Sequence, residues 1–139
     1  MSQPLQPPNV VLMRTVFDWF NSFMAGGPAP ARADVEAFFA PGARMITNGV
    51  VKCVGVEALL NHFNEARSRL ARATVGPLEV AMSQGDVVAA RYVLDHAGHD
   101  GSAGRTVAAA FWTIEDGRVA ELLEYVYYTG DVLKLSHYD

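Results

Sequence analysis

The chain has 139 residues, the size of one ordinary domain. Half of them are hydrophobic and 19% are charged, which suits a filled core and argues against disorder. A net charge of -4 excludes the basic footprint of a nucleic-acid binder.

Residues 1–9 are Pro-rich and read as a flexible lead-in. They lack the basic head and apolar run of a signal peptide, and no apolar stretch is long enough to span a bilayer. The first helix is expected from Val10 to Met24, because Met13, Val16, Phe17, Phe20 and Met24 recur at helical steps. Trp19 and Phe23 widen that stripe, so the helix should be enclosed on two sides. The run Ala25-Gly-Gly-Pro-Ala-Pro30 ends it. A short helix follows over 31–39, and then two short strands, 43–47 and 50–54, around the hairpin dipeptide Asn48-Gly49. The third helix runs from Gly55 to about Ala71, with Val56, Leu59, Leu60, Phe63, Ala66 and Leu70 as its buried stripe. Arg67, Arg69 and Arg72 read as a solvated face of this helix.

The remainder predicts an antiparallel sheet. One strand covers about 74–83, with Pro77 at an edge or bulge. Turns at Gly85-Asp86, Asp100-Gly101 and Asp116-Gly117 then deliver strands 87–96, 105–114 and 119–128. The last segment also fits a helical stripe through Val119, Leu122, Leu123 and Val126. The Asp-Gly turn and the aromatic run Tyr125-Val-Tyr-Tyr128 favour a strand. The tail after Thr129 either caps the barrel mouth or is loose. The whole is one α+β domain over 10–139, with helices on one side of a strongly curved antiparallel sheet.

Cys53 is the only cysteine, so no intrachain disulfide forms, in keeping with a reducing compartment. It reads as a buried, inert thiol. With the absence of leader and span, this points to a soluble cytoplasmic protein. Asp95 and His96 fall on opposite faces of a strand, so no metal site is expected. His62 lies on the third helix beside Leu59, either at the pocket or as a half-exposed structural residue. His99 and His137 read as loop and tail residues.

In that order of elements the chain resembles the NTF2-like superfamily, close to its SnoaL-like and ketosteroid-isomerase-like branches. The resemblance rests on Phe38-Phe-Ala-Pro-Gly-Ala-Arg-Met45, Gly55-Val-Glu-Ala-Leu-Leu60, Gly85-Asp-Val-Val-Ala89 and Trp112-Thr-Ile-Glu-Asp-Gly-Arg-Val-Ala-Glu121. It implies a cone of three helices on a curved sheet around a cavity. It does not fix the reaction, since the superfamily holds cyclases, isomerases, epoxide hydrolases and proteins without chemistry.

The resemblance places Val119 in the core. Alternation then puts Glu121, Leu123, Tyr125 and Tyr127 on the inner face and Leu122, Glu124 and Val126 on the outer, and a bulge would exchange part of these sets. In the ketosteroid-isomerase-like branch the proton-shuttling acid falls at Thr47 here, which is not a usable base. The oxyanion-holding residue of that branch falls nearest Trp19. In the 87–96 strand, Val88, Ala90, Tyr92, Leu94 and His96 share a face. The resemblance implies that Val88 packs inward, which would bring Tyr92 and His96 to the cavity; the alternative is His96 at the rim, bonded to the 100–104 loop. Trp112 and Ile114 face inward above Ala108 and Ala110, whose small side chains leave volume. The expected ligand-binding set is Trp19, Met45, Thr47, Phe63, Tyr92, Trp112 and Tyr125. The expected catalytic set is His96 or Glu121 for proton transfer and Tyr127, or else Tyr125, for a developing oxyanion.

These residues describe a site for a small apolar, oxygen-bearing molecule, worked on by an isomerase, cyclase or lyase without metal or redox cofactor. The alternative is a non-catalytic ligand-binding or association module. The outer face through Val107, Ala109, Phe111 and Thr113 is apolar and predicts a homodimer packed through the sheet.

Overall fold

The computed structural model describes residues 6–130. Helix α1 (Pro8–Met24) leads to α2 (Arg32–Phe38), strands β1 (Phe39–Thr47) and β2 (Val50–Val54), and helix α3 (Val56–Arg69). Strands β3 (Leu70–Val75), β4 (Val80–Gln84), β5 (Val87–Gly98), β6 (Ala103–Glu115) and β7 (Arg118–Gly130) follow. Three helices pack on a strongly curled half-barrel sheet, an α+β NTF2-like cone. Part of the lead-in (1–5) and the tail beyond Gly130, with His137, lie outside the described residues.

Helix α1 begins earlier than expected because Pro8 stands in its first turn, where a missing N–H breaks no helical bond. Among the described residues no side chain caps that end, a loss of about 1 kcal/mol. Burial outweighs it. Val10, Met13, Val16, Phe23 and Met24 are buried along one side, and each such side chain contributes about 1.5–3 kcal/mol. Asn21 then pins the helix to the sheet. Its amide donates to the Val75 carbonyl at 2.9 Å and accepts from the Val75 N–H at 2.8 Å. Trp19 packs edge-on against Phe23 and Phe63 and tilted against Phe38, so α1 is enclosed on two sides as its composition demands.

The strands lie in the order β2-β1-β7-β6-β5-β3, with β4 also paired to β5. The sheet is mixed, where a purely antiparallel one was expected: β1 and β7 run parallel. A parallel neighbour requires a long crossover, and the chain supplies one through α3 and β3–β6. The expected strand 74–83 is two strands. β3 pairs with the distal half of β5 and β4 with its proximal half. Pro77 has no N–H for the ladder, so Pro77 and Leu78 loop out between the Gly76 N–H bond to Val93 and the Glu79 N–H bond to Arg91. Both hairpin dipeptides take positive φ at each centre, 50° and 81° at Asn48-Gly49 and 51° and 75° at Asp116-Gly117.

One irregularity decides what faces the interior. Ile114 pairs with Val119, but Thr113 pairs with Glu121, so Ala120 is an extra residue in β7. Val119 is fully buried before this bulge, and Leu122 is buried after it. The other faces follow simple alternation. Val88, Ala90, Tyr92 and His96 of β5 are buried, as are Ala108, Ala110, Trp112 and Ile114 of β6. On the opposite face Met82, Val87, Phe111, Tyr125 and Tyr127 are exposed. A continuous row crosses it by strand pairing: Met82, Ala89, Phe111, Leu123, Ile46 and Val51.

Candidate functional site

The curl of the sheet and the spans of α1 and α3 across it leave a cavity of about 140 Å³. That is about the volume that holds a benzene-like ring. Val16, Phe17 and Phe20 of α1 form one wall, and His62, Phe63 and Ala66 of α3 another. The sheet supplies the rest, including Met45 and Thr47 from β1, Tyr92 and His96 from β5, Trp112 from β6, and Leu122 and Glu124 from β7. Ala90, Ala110 and Glu124 lie side by side across three strands. The two alanines make the room into which the glutamate side chain extends.

Glu124 is the centre of the polar chemistry. Its neighbour across the parallel ladder is Thr47, whose Oγ1 donates to Oε1 at 3.1 Å. The Tyr92 hydroxyl donates to Oε2 at 2.7 Å. Glu124 is half-buried and lines the cavity. Burial pushes its carboxyl above the ordinary value near 4.5, against the lowering pull of the Tyr92 and Thr47 hydroxyls. Tyr92 is pushed well above its ordinary value of 10, first by burial and then by the Glu124 charge and hydrogen bond. The phenol therefore keeps its proton and remains a donor. A carboxylate has about four lone-pair sites, so each oxygen retains acceptor capacity toward a ligand.

A second polar pair lies further along β5. His96 Nε2 is 3.0 Å from Thr106 Oγ1, and both residues are buried. Burial lowers the His96 pKa, against a smaller raising effect of Asp95, which favours the neutral imidazole. Among the described residues, His96 Nδ1 has no hydrogen-bond partner. His96 lies four positions beyond Tyr92 on the same face of β5, roughly 13 Å of strand between their Cα atoms. Trp112 Nε1 is likewise buried without a partner among the described residues, a state that costs about 1–3 kcal/mol.

The cavity thus brings together Met45, Thr47, Phe63, Tyr92, His96 and Trp112 of the expected set. It does not include Trp19, Glu121, Tyr125 or Tyr127. Trp19 is consumed by the aromatic contacts among the three helices. The Ala120 bulge turns Glu121, Tyr125 and Tyr127 outward. Glu121 sits 4.0 Å from Arg44, and Tyr125 and Tyr127 are 51% and 60% exposed. Glu124 was expected on the outer face, and it is the residue that the alternation argument missed. His62 does line the cavity, with its ring against Phe63. Asp95 faces away from His96 and pairs with Arg105 at 2.8 Å. Among the described residues no group of three or more His, Cys, Asp or Glu side chains could hold a metal ion, and no helix is long and apolar enough to cross a membrane.

The model of the SnoaL-like domain matches residues 16–122. The chain belongs to the SnoaL-like family. The match ends just short of Glu124. A candidate SnoaL-like polyketide cyclase from Jannaschia sp. CCS1 superposes with a TM-score of 0.70 at 20% identity, over 90% of this chain and 91% of that one. IdmH, a candidate polyketide cyclase from Streptomyces antibioticus, gives 0.66 at 16% identity, over 87% and 92%. An LEH-like epoxide hydrolase from Mycobacterium tuberculosis gives 0.71 at 10% identity, over 86% and 83%. No curated protein matches the sequence. At these identities the structures share the fold with this SnoaL-like chain.

The raised pKa of Glu124 fixes the sign of a pH effect. The folded state binds its proton more tightly than the unfolded state, so this group's contribution to stability falls as pH rises from about 4.5 through the folded pKa. Glu124→Gln removes that dependence. Urea unfolding should show the variant gaining stability relative to the parent protein as pH is raised from 4.5 toward neutrality. A stability difference that does not change with pH contradicts the buried carboxyl.

Proposed function

We propose that this SnoaL-like protein is a cofactor-independent isomerase, cyclase or lyase acting on a small hydrophobic carbonyl compound. Glu124 is its proton shuttle. The observation that carries this reading is the Glu124–Tyr92 contact of 2.7 Å inside a mostly apolar cavity. A carboxylate whose pKa is raised by burial is a stronger base than a solvated one, and this one is held in position by two hydroxyl donors. In the reaction the Glu124 carboxylate takes a proton from the carbon next to the carbonyl. The C–H electrons form a C=C bond and the carbonyl π electrons move onto oxygen. Return of the proton from Glu124 to carbon restores the carbonyl, so no oxidant or co-reactant is consumed. His96 and Thr106, a second polar pair on the same cavity, suit a second polar group on the ligand. A carboxyl meeting a phenol within the cavity supports catalysis over a non-catalytic module, whose pocket would need only apolar walls. The candidate polyketide cyclases among the structural neighbours are consistent with the same chemistry.

The test uses 2-indanone, a neutral ring ketone, and follows exchange of its α-hydrogens in D2O by proton NMR. The protein should accelerate exchange above buffer, with a rate that rises with pH as Glu124 ionises. Glu124→Gln should fall to the buffer rate. Exchange at the buffer rate with the parent protein, or undiminished exchange in Glu124→Gln, contradicts the assignment.

We also propose that the apolar outer face of the sheet is covered by a second copy of the chain. Phe111, Tyr125 and Tyr127 are 44%, 51% and 60% exposed on adjacent strands, and burying such rings is the strongest drive to association on that face. Light scattering at micromolar concentration should give the mass of two chains, reduced to one by Phe111→Asp. A single-chain mass for the parent protein contradicts the dimer.

A further inference from the structure

We propose that the cavity also takes a small organic cation, a tertiary ammonium on a body of about one six-membered ring, held by a charge-assisted hydrogen bond to Glu124. The inference shares with the proton-shuttle reading only the inward placement of that carboxyl. It needs no proton transfer to or from carbon.

Charge balance points to a cation. Among the described residues that line the cavity, Glu124 is the one acid, and none is a lysine or an arginine. The partners of its carboxyl, Thr47 and Tyr92, are hydroxyls without charge. A carboxylate in mostly apolar surroundings keeps a large desolvation cost until a positive group joins it. Tyr92 holds its proton, and burial favours the neutral form of His96. His62, the remaining titratable group of the lining, packs its ring against Phe63 on α3. A metal ion does not suit the site, because no three acidic, histidine or cysteine side chains stand together among the described residues.

The walls favour an organic cation. Phe17, Phe20, Phe63, Tyr92 and Trp112 border the cavity, and aromatic rings attract cations most where water is excluded. The apolar lining also selects the substitution at nitrogen. A primary ammonium carries three N–H donors and needs acceptors on three sides. A tertiary ammonium has a single N–H for Glu124 and turns carbon to the walls. The volume of about 140 Å³ matches one ring.

The probe is N-methylpiperidine, which stays protonated through neutral pH as alkyl amines do. Toluene is a neutral ring of similar size. In NMR titrations near neutral pH, N-methylpiperidine should bind the parent protein at least about tenfold more tightly than Glu124→Gln, the loss expected for a hydrogen bond between charged groups. Toluene should bind both proteins alike. The Glu124 pKa lies above 4.5, so the parent's affinity for the amine should rise as pH increases from 4.5 toward neutrality. That rise should shrink in Glu124→Gln, whereas a contribution from His62 or His96 would persist in it. Equal amine affinity in the two proteins, or an equal rise with pH, overturns the cation site. A pH-independent affinity in the parent protein overturns it without recourse to the variant. N-methylpiperidine should also slow exchange of 2-indanone by competition. Exchange that proceeds unaffected by the amine overturns the cation site and leaves the proton shuttle standing. Amine binding that depends on Glu124, with 2-indanone exchanging at the buffer rate, overturns the shuttle and supports the cation site.

Discussion

The bulge at Ala120 is the constraint on which the site depends. Side chains of a strand alternate, so one extra residue exchanges the two faces of everything beyond it. Before the bulge Val119 packs into the core; after it Leu122 and Glu124 turn inward and Tyr125 and Tyr127 turn out. Without that residue the cavity would be floored by phenols and its carboxyl would face water. The parallel pairing of β1 with β7 then sets Thr47 beside Glu124, and alternation along β5 brings in Tyr92.

The energetics of this arrangement oppose one another. Burial disfavours the charge on Glu124, and two hydroxyl donors favour it. Burial prevails, which leaves a carboxyl that ionises late and is a stronger base once ionised. The small side chains of Ala90 and Ala110 keep the space open, at the expense of packing that larger residues would have supplied. Folding is secured elsewhere, by the aromatic contacts among α1, α2 and α3 and by the paired bonds of Asn21 to Val75.

Much of the fold was legible because its punctuation is local. Asn48-Gly49 and Asp116-Gly117 can be read as turns from two residues each, and the stripes of α1 and α3 repeat at helical steps. The inner faces of β5 and β6 followed from alternation, which placed Tyr92, His96 and Trp112 correctly in the cavity. The parallel pairing was not legible, because nothing in β1 or β7 names its neighbour. Trp19 was misassigned since an aromatic residue on α1 suits either the cavity or a helix interface. The error at β7 has a sharper cause. Val119 to Leu122 is an odd step, followed by even steps to Glu124 and Val126. That odd step made the segment resemble a helix, and in a strand it is the mark of a bulge.

The central claim is that Glu124 is turned into the cavity by the bulge. A ¹³C titration of the glutamate side-chain carboxyls measures this most directly, with the Glu124 resonance identified by its absence from Glu124→Gln. The account predicts a midpoint above the ordinary 4.5. A Glu124 midpoint at or below that value would place the carboxyl in water and would contradict the register on which the site is built.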